Sequence, residues 1–279
     1  FNTPCFQFVR AAKKRGIKTV FFTWENILRG HNPVYTAFEK YVLENSDAAV
    51  AGNKEAEEIL KTKGFKKEIK TIPQYGLNSE DFTAEEKTGP VKIVLYAGRL
   101  APEKGVETLI KAAAEVPGIT VDMAGTGDAE YTLKLKKTAS DLGMGERVVF
   151  HGHCGRREIA DIMARADILV IPSLTTPNWK EQFGRVIIEA FASKTAVIGS
   201  SSGEIPNVIG DAGIVFKEGD DVELRDVLKR LVSDPAFCRA LAEKGHKRVM
   251  DNFTNKIIAS RMSELFLDVV NAGSGEQTE

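Results

Sequence analysis

The chain has 279 residues, 43% hydrophobic and 28% charged, with 38 basic against 39 acidic side chains and a net charge of −1. Such a composition suits one large or two modest globular domains, and a net charge near zero excludes a global field that would gather nucleic acid or acidic lipid. No apolar run reaches the roughly 18 residues of a membrane span, and Cys5, Cys154 and Cys238 are too few and too scattered for a disulfide framework, which fits a reducing cytoplasm.

The first residues, Phe1-Asn2-Thr3-Pro4, have no basic stretch leading into an apolar core, so they do not read as a signal peptide. A chain that opens on Phe is expected to be a piece with sequence missing upstream. Residues 4–15 read as a helix stopped by Gly16, 17–23 as a strand, and 33–45 as a helix with Pro33 in its first turn. A short buried strand is expected at 47–51, an amphipathic helix ended by Gly64 at 53–63, and another strand at 70–73. Residues 76–90 lose periodicity and collect turn residues, which marks a linker.

Beyond it the pattern alternates: strand 91–98, helix 105–115, strand 119–124, helix 128–142, strand 147–151, helix 156–165 and strand 167–172. Helix 186–193, strands 195–199 and 213–216, and helix 221–232 follow, then amphipathic helices 235–250 and 254–270, with Thr254 an expected N-cap, and a polar, frayed tail 271–279. Such alternation with β-branched strands predicts an α/β chain whose parallel sheets are covered by helices on both faces. The first unit, 1–75, offers about three strands and looks incomplete; the second, 91–250, looks whole.

Chemistry concentrates after the strands of the second unit, where open parallel sheets bind ligands. In Gly98-Arg99-Leu100-Ala101-Pro102-Glu103-Lys104-Gly105, Arg99 can fork onto phosphate oxygens, Lys104 adds a point charge, and the glycines allow close backbone approach. Gly125-Thr126-Gly127 is half a dinucleotide fingerprint; Glu130 stands where the third glycine belongs. In His151-Gly152-His153-Cys154 neighbouring side chains point to opposite faces and no second cluster completes a tetrahedral site, so the loop reads as backbone-lined rather than zinc-binding. Glu181 precedes the helix that begins at Val186, and Glu189 sits one turn into it, two turns' worth of residues after Glu181, amid Val186-Ile187-Ile188 and Ala190-Phe191-Ala192. A carboxylate in so apolar a helix is costly to bury without a partner, and a hydroxylated ligand supplies one. The helix start adds a partial positive charge suited to a diphosphate. A P-loop, a nucleophile elbow and an Asp-x-Asp metal pair are all absent from the sequence.

Taken in order, these elements resemble the retaining glycosyltransferases of family four, which have the GT-B fold of two Rossmann-like domains. The resemblance runs over roughly residues 45–270 and is carried by Gly98-Arg99-Leu100, Glu103-Lys104-Gly105, Gly125-Thr126-Gly127, Phe150-His151-Gly152, Ala166-Asp167 with Pro172-Ser173, Glu181-x7-Glu189-Ala190, and Gly203-Glu204-Ile205-Pro206 with Gly210-Asp211-Ala212-Gly213. It implies an acceptor-side domain ending near residue 75, a donor domain at 91–250, and a C-terminal helix within 251–270 that returns to the first domain. It implies transfer from a nucleotide-diphosphate sugar to a glycan, lipid or small-molecule acceptor with retention at the anomeric carbon, and with no metal or other cofactor. Arg99 and Lys104 would hold the diphosphate, Gln182, Phe183 and Gly184 would cradle it through their backbone, Glu189 would bind the ribose, and Glu181 would lie near the donor sugar or its phosphate as the catalytic-site carboxylate. Gly98, Gly125, Gly152 and His153 would complete the donor site. Two departures stand out: Ser193-Lys194-Thr195-Ala196 replaces the family's usual glycine and proline, and Phe22-Thr23-Trp24-Glu25 stands where a histidine is common. A non-catalytic nucleotide-sugar-binding module and a GT-B phosphorylase or epimerase are the alternatives. The implied location is the cytoplasm, with Lys13, Lys14 and Arg15 leaving peripheral contact with the inner membrane face open.

Overall fold

The computed structural model describes residues 3–30, 32–82 and 86–272. They fall into two compact units, one made of the chain up to Tyr75 together with that from Asn255 on, the other of Gly76–Thr254.

The first unit runs α1 (Thr3–Lys14), β1 (Val20–Thr23), α2 (Pro33–Asn45), β2 (Ala48–Ala51), α3 (Lys54–Thr62) and β3 (Glu68–Thr71), with the strands parallel in the order β1-β2-β3. Asn32 caps α2 by accepting from Tyr35 N at 3.1 Å, and Asn53 caps α3 by accepting from Ala56 N at 2.7 Å. The central strand β2 is Ala-Ala-Val-Ala, small enough to let helices approach both of its faces. Ala49 and Ala51 join Val9, Val42 and Leu60 on one side, while Ala48 and Val50 meet Ile72, Leu265 and Val269 on the other. Leu265 and Val269 belong to the last helix, Asn255–Asn271, which thereby covers the second face. Under the helices, Lys63 Nζ reaches Glu25 at 2.6 Å and Glu39 at 2.7 Å, a nearly buried cation serving two carboxylates. Burial depresses its ammonium, but the bonds to both carboxylates outweigh that and raise its pKa.

The second unit contains β4 (Ile93–Ala97), α4 (Val106–Ala114), β5 (Thr120–Ala124), α5 (Ala129–Asp141), β6 (Val148–Gly152), α6 (Arg156–Arg165) and β7 (Ile168–Ile171), then α7 (Arg185–Ala192), β8 (Ala196–Ser200), α8 (Ile205–Ile209), β9 (Ile214–Phe216), α9 (Asp221–Ser233) and α10 (Pro235–Asn252). The Asn255–Asn271 helix of the first unit is α11. The six strands of the second unit are parallel in the order β6-β5-β4-β7-β8-β9. Strand residues alternate between two cores: Val94, Tyr96, Ile168 and Val170 face the helices α4, α5 and α9, and Leu95, Ala97, Leu169 and Ile171 face α6, α7 and α8. The strand order reverses between β4 and β7, the switch point of a doubly wound sheet. Asp167 fixes the start of that seam by accepting from the N–H groups of Lys92 and Ile93 at 2.8 and 2.9 Å.

Several boundaries differ from the sequence reading. The third strand begins two residues earlier than expected, and the five-residue α8 carries too little periodicity to be read from sequence, though Ile205, Val208 and Ile209 are buried. The segment read as a linker packs onto the second unit where it is described, through buried Leu77 and Phe82, with Leu77 N donating to Phe253 O at 3.0 Å. Thr254 forms a parallel bridge with Leu77. From residue 273 the expected tail lies outside the described residues.

Lys194, in the turn after α7, is the one non-glycine with positive φ among the described residues, at 49°. It falls within the tetrapeptide that replaces the family's glycine and proline, and a Cβ makes this left-handed conformation unfavourable by about 1–2 kcal/mol. Its ion pair with Glu243, at 2.8 Å, leaves the glutamate half exposed and returns little of that. Lys194→Gly is therefore expected to stabilise the chain by about 0.5–1 kcal/mol after the entropy cost of glycine, read as a rise of roughly 2 °C in Tm. An unchanged or lower Tm would show that the turn is not strained.

Candidate functional site

The β4–α4 loop opens at the switch point. Tyr96, buried at the end of β4, donates its hydroxyl to Arg99 O at 2.6 Å and so sets the first turn of the loop. Burial, followed by the charge of Glu181, pushes the Tyr96 phenol far above its ordinary pKa, so it remains a donor. The loop is zipped to the β5–α5 turn by Gly98 N to Ala124 O at 2.9 Å and Leu100 N to Thr126 O at 2.8 Å. Gly125, at φ 143°, lies so close that a Cβ there would stand 1.9 Å from Gly98 O. The glycine pair 125 and 127 is thus explained by loop-on-loop contact, without a dinucleotide fingerprint. Beside this junction is a cleft of about 600 Å³ whose walls include Gly98, Arg99, Gly125, Asp128, His153 and Val186.

Across the switch, Leu174 N donates to Glu103 O at 2.8 Å, and Gly105, at φ 64°, has no room for a Cβ, which would lie 1.9 Å from Pro172 O. These contacts bring Lys104 over the loop after β7. Its Nζ lies 2.7 Å from Glu181 Oε2, the same oxygen accepts from Ser173 Oγ at 3.1 Å, and the ammonium sits 4.6 Å from the centre of the Trp179 ring. The Lys104 and Glu181 side chains are 20% and 12% exposed. The β8–α8 turn holds Glu181 from behind: Glu204 N donates to Glu181 O at 3.0 Å, and a Cβ on Gly203 would fall 2.1 Å from that same oxygen. Arg99, in contrast, is paired with Glu103 at the surface, its side chain 61% exposed.

Helix α7 begins behind Gly184, which takes φ 77°. Glu189 faces Arg185, with Nε 2.9 Å from Oε1. Burial raises the Glu189 carboxyl pKa against the opposing pull of Arg185 and Arg156. Phe183 is a core side chain, edge-on to Phe253 at 5.9 Å.

Of the residues expected from sequence, Gly98, Arg99, Gly125 and His153 share the cleft; Gly152 adjoins it, its carbonyl accepting from Gly125 N at 2.8 Å. Lys104 and Glu181 form one ion pair, and Glu189 lies one turn along α7 from Arg185. Sequence reasoning missed Tyr96 and Trp179, and it quoted Ser173 and Gly203 as parts of the family pattern without giving either a role. Tyr96 reads simply as a strand residue, and the others act through chain reversals that local periodicity does not encode. Among the described residues no three His, Cys, Asp or Glu side chains converge as a metal-binding group, and no helix is long and apolar enough to cross a membrane.

Two parallel sheets, one of them doubly wound with charged loops at its switch point, define an α/β chain of GT-B type. A model of the family of glycosyl transferases group 1 matches residues 78–248, and the chain belongs to that family. It is similar to the lipopolysaccharide core biosynthesis glycosyltransferase LpsE of Rhizobium meliloti (strain 1021), 28% identical over 228 residues that cover 79% of this chain and 64% of that protein. It also resembles the N-acetyl-alpha-D-glucosaminyl L-malate synthase of Bacillus anthracis, 26% identical with 86% and 65% covered. The chain spans less than two thirds of the length of these relatives. Among solved structures, sucrose-phosphate synthase from Thermosynechococcus elongatus matches with a TM-score of 0.75 at 25% identity, over 92% of this chain and 69% of that one. Anabaena HepE, solved in complex with UDP, matches with a TM-score of 0.81 at 19% identity, over 95% and 76%.

The raised pKa of Glu189 has a definite sign. The folded chain holds this proton more tightly than the unfolded one, so the group favours folding most below the unfolded carboxyl range and loses that contribution as pH rises through its folded pKa. Glu189→Gln is expected to raise Tm more at pH 7 than near pH 4, because the raised pKa leaves more of the wild-type carboxyl neutral at the lower pH. Equal shifts at both pH values would contradict a desolvated carboxylate.

Proposed function

We propose that this chain carries the donor half of a family-four, retaining glycosyltransferase, which moves a sugar from a nucleotide-diphosphate sugar to a glycan, lipid or small-molecule acceptor. The observation that supports it most directly is the ion pair of Lys104 with the Glu181 carboxylate at the switch point of the sheet, with a second cation, Arg99, exposed on the same loop as Lys104. A diphosphate brings more negative charge than one carboxylate and competes for Lys104, while Arg99 leaves an exposed pair that is easily broken. Glu181 stays anchored by Ser173 and the Gly203–Glu204 turn and accepts hydrogen bonds from the sugar hydroxyls. Glu189 binds the ribose. In the transfer step the anomeric C–O bond to the diphosphate breaks, the acceptor oxygen bonds to the same face, and its proton passes to the departing phosphate oxygen. Arg99, Lys104 and the start of α7 stabilise the charge that develops on the leaving group, in place of a divalent ion. That UDP accompanies HepE in its solved structure is in keeping with this reading.

Titration calorimetry of the chain with UDP, GDP and ADP, each with and without EDTA, tests the proposal. One of them is expected to bind, unaffected by the chelator, and Arg99→Ala, at an exposed position, is expected to weaken it about tenfold or more, equivalent to about 1.4 kcal/mol. Binding of none of the three would overturn the donor-site reading; binding abolished by EDTA would overturn its metal independence.

A further inference from the structure

The strand β6 carries an irregularity that the donor-site reading does not use. Its register with β5 pairs Asp122 with Val149, Met123 with Phe150, and then Ala124 with Gly152, so His151 is an extra residue in the edge strand. Val121, Met123 and Phe150 pack into one core, and alternation puts Asp122 and His151 together on the opposite face. His151 Nε2 lies 3.4 Å from Asp122 Oδ1. That nitrogen is buried and makes no aligned hydrogen bond to any described residue. A buried ring nitrogen left in this condition is rare. It faces a carboxylate, and the contact is a few tenths of an ångström longer than an ordinary hydrogen bond.

What His151 holds lies immediately beyond it. Gly152, at φ 73°, sends its carbonyl to Gly125 N at 2.8 Å, and His153 and Cys154 line the cleft. His151 is thus one residue from the point where the 152–154 loop meets the β5–α5 turn.

We propose that His151 and Asp122 are a positioning pair that sets the 152–154 loop for the nucleoside of the donor, their hydrogen bond closing when the nucleoside is seated. The inference rests on the donor-site reading above. Neither residue touches the reacting atoms. The pair governs the nucleoside end of the cleft and leaves the phosphate end to Arg99 and Lys104.

Calorimetry with two probes separates the ends: inorganic pyrophosphate, and whichever of UDP, GDP and ADP binds the wild-type chain. His151→Leu is expected to raise the Kd of the nucleotide about tenfold, the equivalent of one lost hydrogen bond, while the Kd of pyrophosphate stays within about twofold. His151→Gln, whose amide N–H can reach Asp122, is expected to restore most of the nucleotide affinity. Asp122→Leu should behave like His151→Leu. The proposal is overturned if His151→Leu binds the nucleotide normally, if it loses both probes alike, or if His151→Gln fares no better than leucine. A wild-type chain that binds pyrophosphate but no nucleotide also sinks it; one that binds neither sinks the donor-site reading as well.

Discussion

The ion pair between Lys104 and Glu181 ties the second unit together at the point where its strand order reverses. Lys104 comes from the loop after β4 and Glu181 from the loop after β7, adjacent strands whose connections leave in opposite directions. Nothing in a doubly wound sheet obliges those loops to touch. They touch because Gly105 lets the first loop pass against Pro172 O and because Gly203 lets the β8–α8 turn close on Glu181 O. Side chains at either position would push apart the backbone that the pair bridges. A half-buried ion pair of this kind adds little net stability, since desolvation offsets most of the attraction. Its consequence is positional: it fixes a cation and a carboxylate at the mouth of the sheet before any ligand arrives, and that preorganisation is what the proposed donor site draws on.

The same economy explains the junction of the β4 and β5 loops. Arg99 is exposed and long, with much rotamer freedom, yet its backbone is held by the Tyr96 hydroxyl and by the zipper of Gly98 and Leu100 against residues 124–126. The side chain is free to exchange Glu103 for another anion while its attachment point does not move. A hydrogen-bonded backbone under an exposed cation suits the proposed capture of a charged substrate and release of its product.

Much of the architecture was legible in the sequence. Alternating patterns of period 2 and 3.6, punctuated by Gly16, Gly64 and Pro33, located most strands and helices, and apolar runs such as Ile168–Ile171 betrayed strands covered on both faces. What escaped was set by contacts distant in sequence. The helix α8 is too short to show a period. The described part of 76–90 looks like a linker because Leu77 and Phe82 are isolated among polar residues, and each is buried by partners that lie far along the chain. For the site, the residue types and their order pointed to one rim of the sheet, but not to who neutralises whom. That Lys104 meets Glu181 while Arg99 meets Glu103 depends on loop trajectories, and those depend on what fits against Gly105 and Gly203.

Helix α7 shows where the fold accepts a cost. It has eight residues, five of them buried, and among them stands one carboxylate that would be more comfortable in water. At its far end Lys194 occupies a conformation suited to glycine. An all-apolar helix closed by glycine would pack as well without either penalty. The lysine turn has no ligand role in the proposed site, whereas Glu189 does: in that reading a desolvated carboxylate paired with Arg185 would accept further hydrogen bonds from ribose hydroxyls. The two penalties on one helix therefore differ in kind. The strain at Lys194 persists whatever the site contains, while in the proposed site the desolvation of Glu189 would be relieved by binding, so a ligand would gain in affinity what the empty fold gives up in stability.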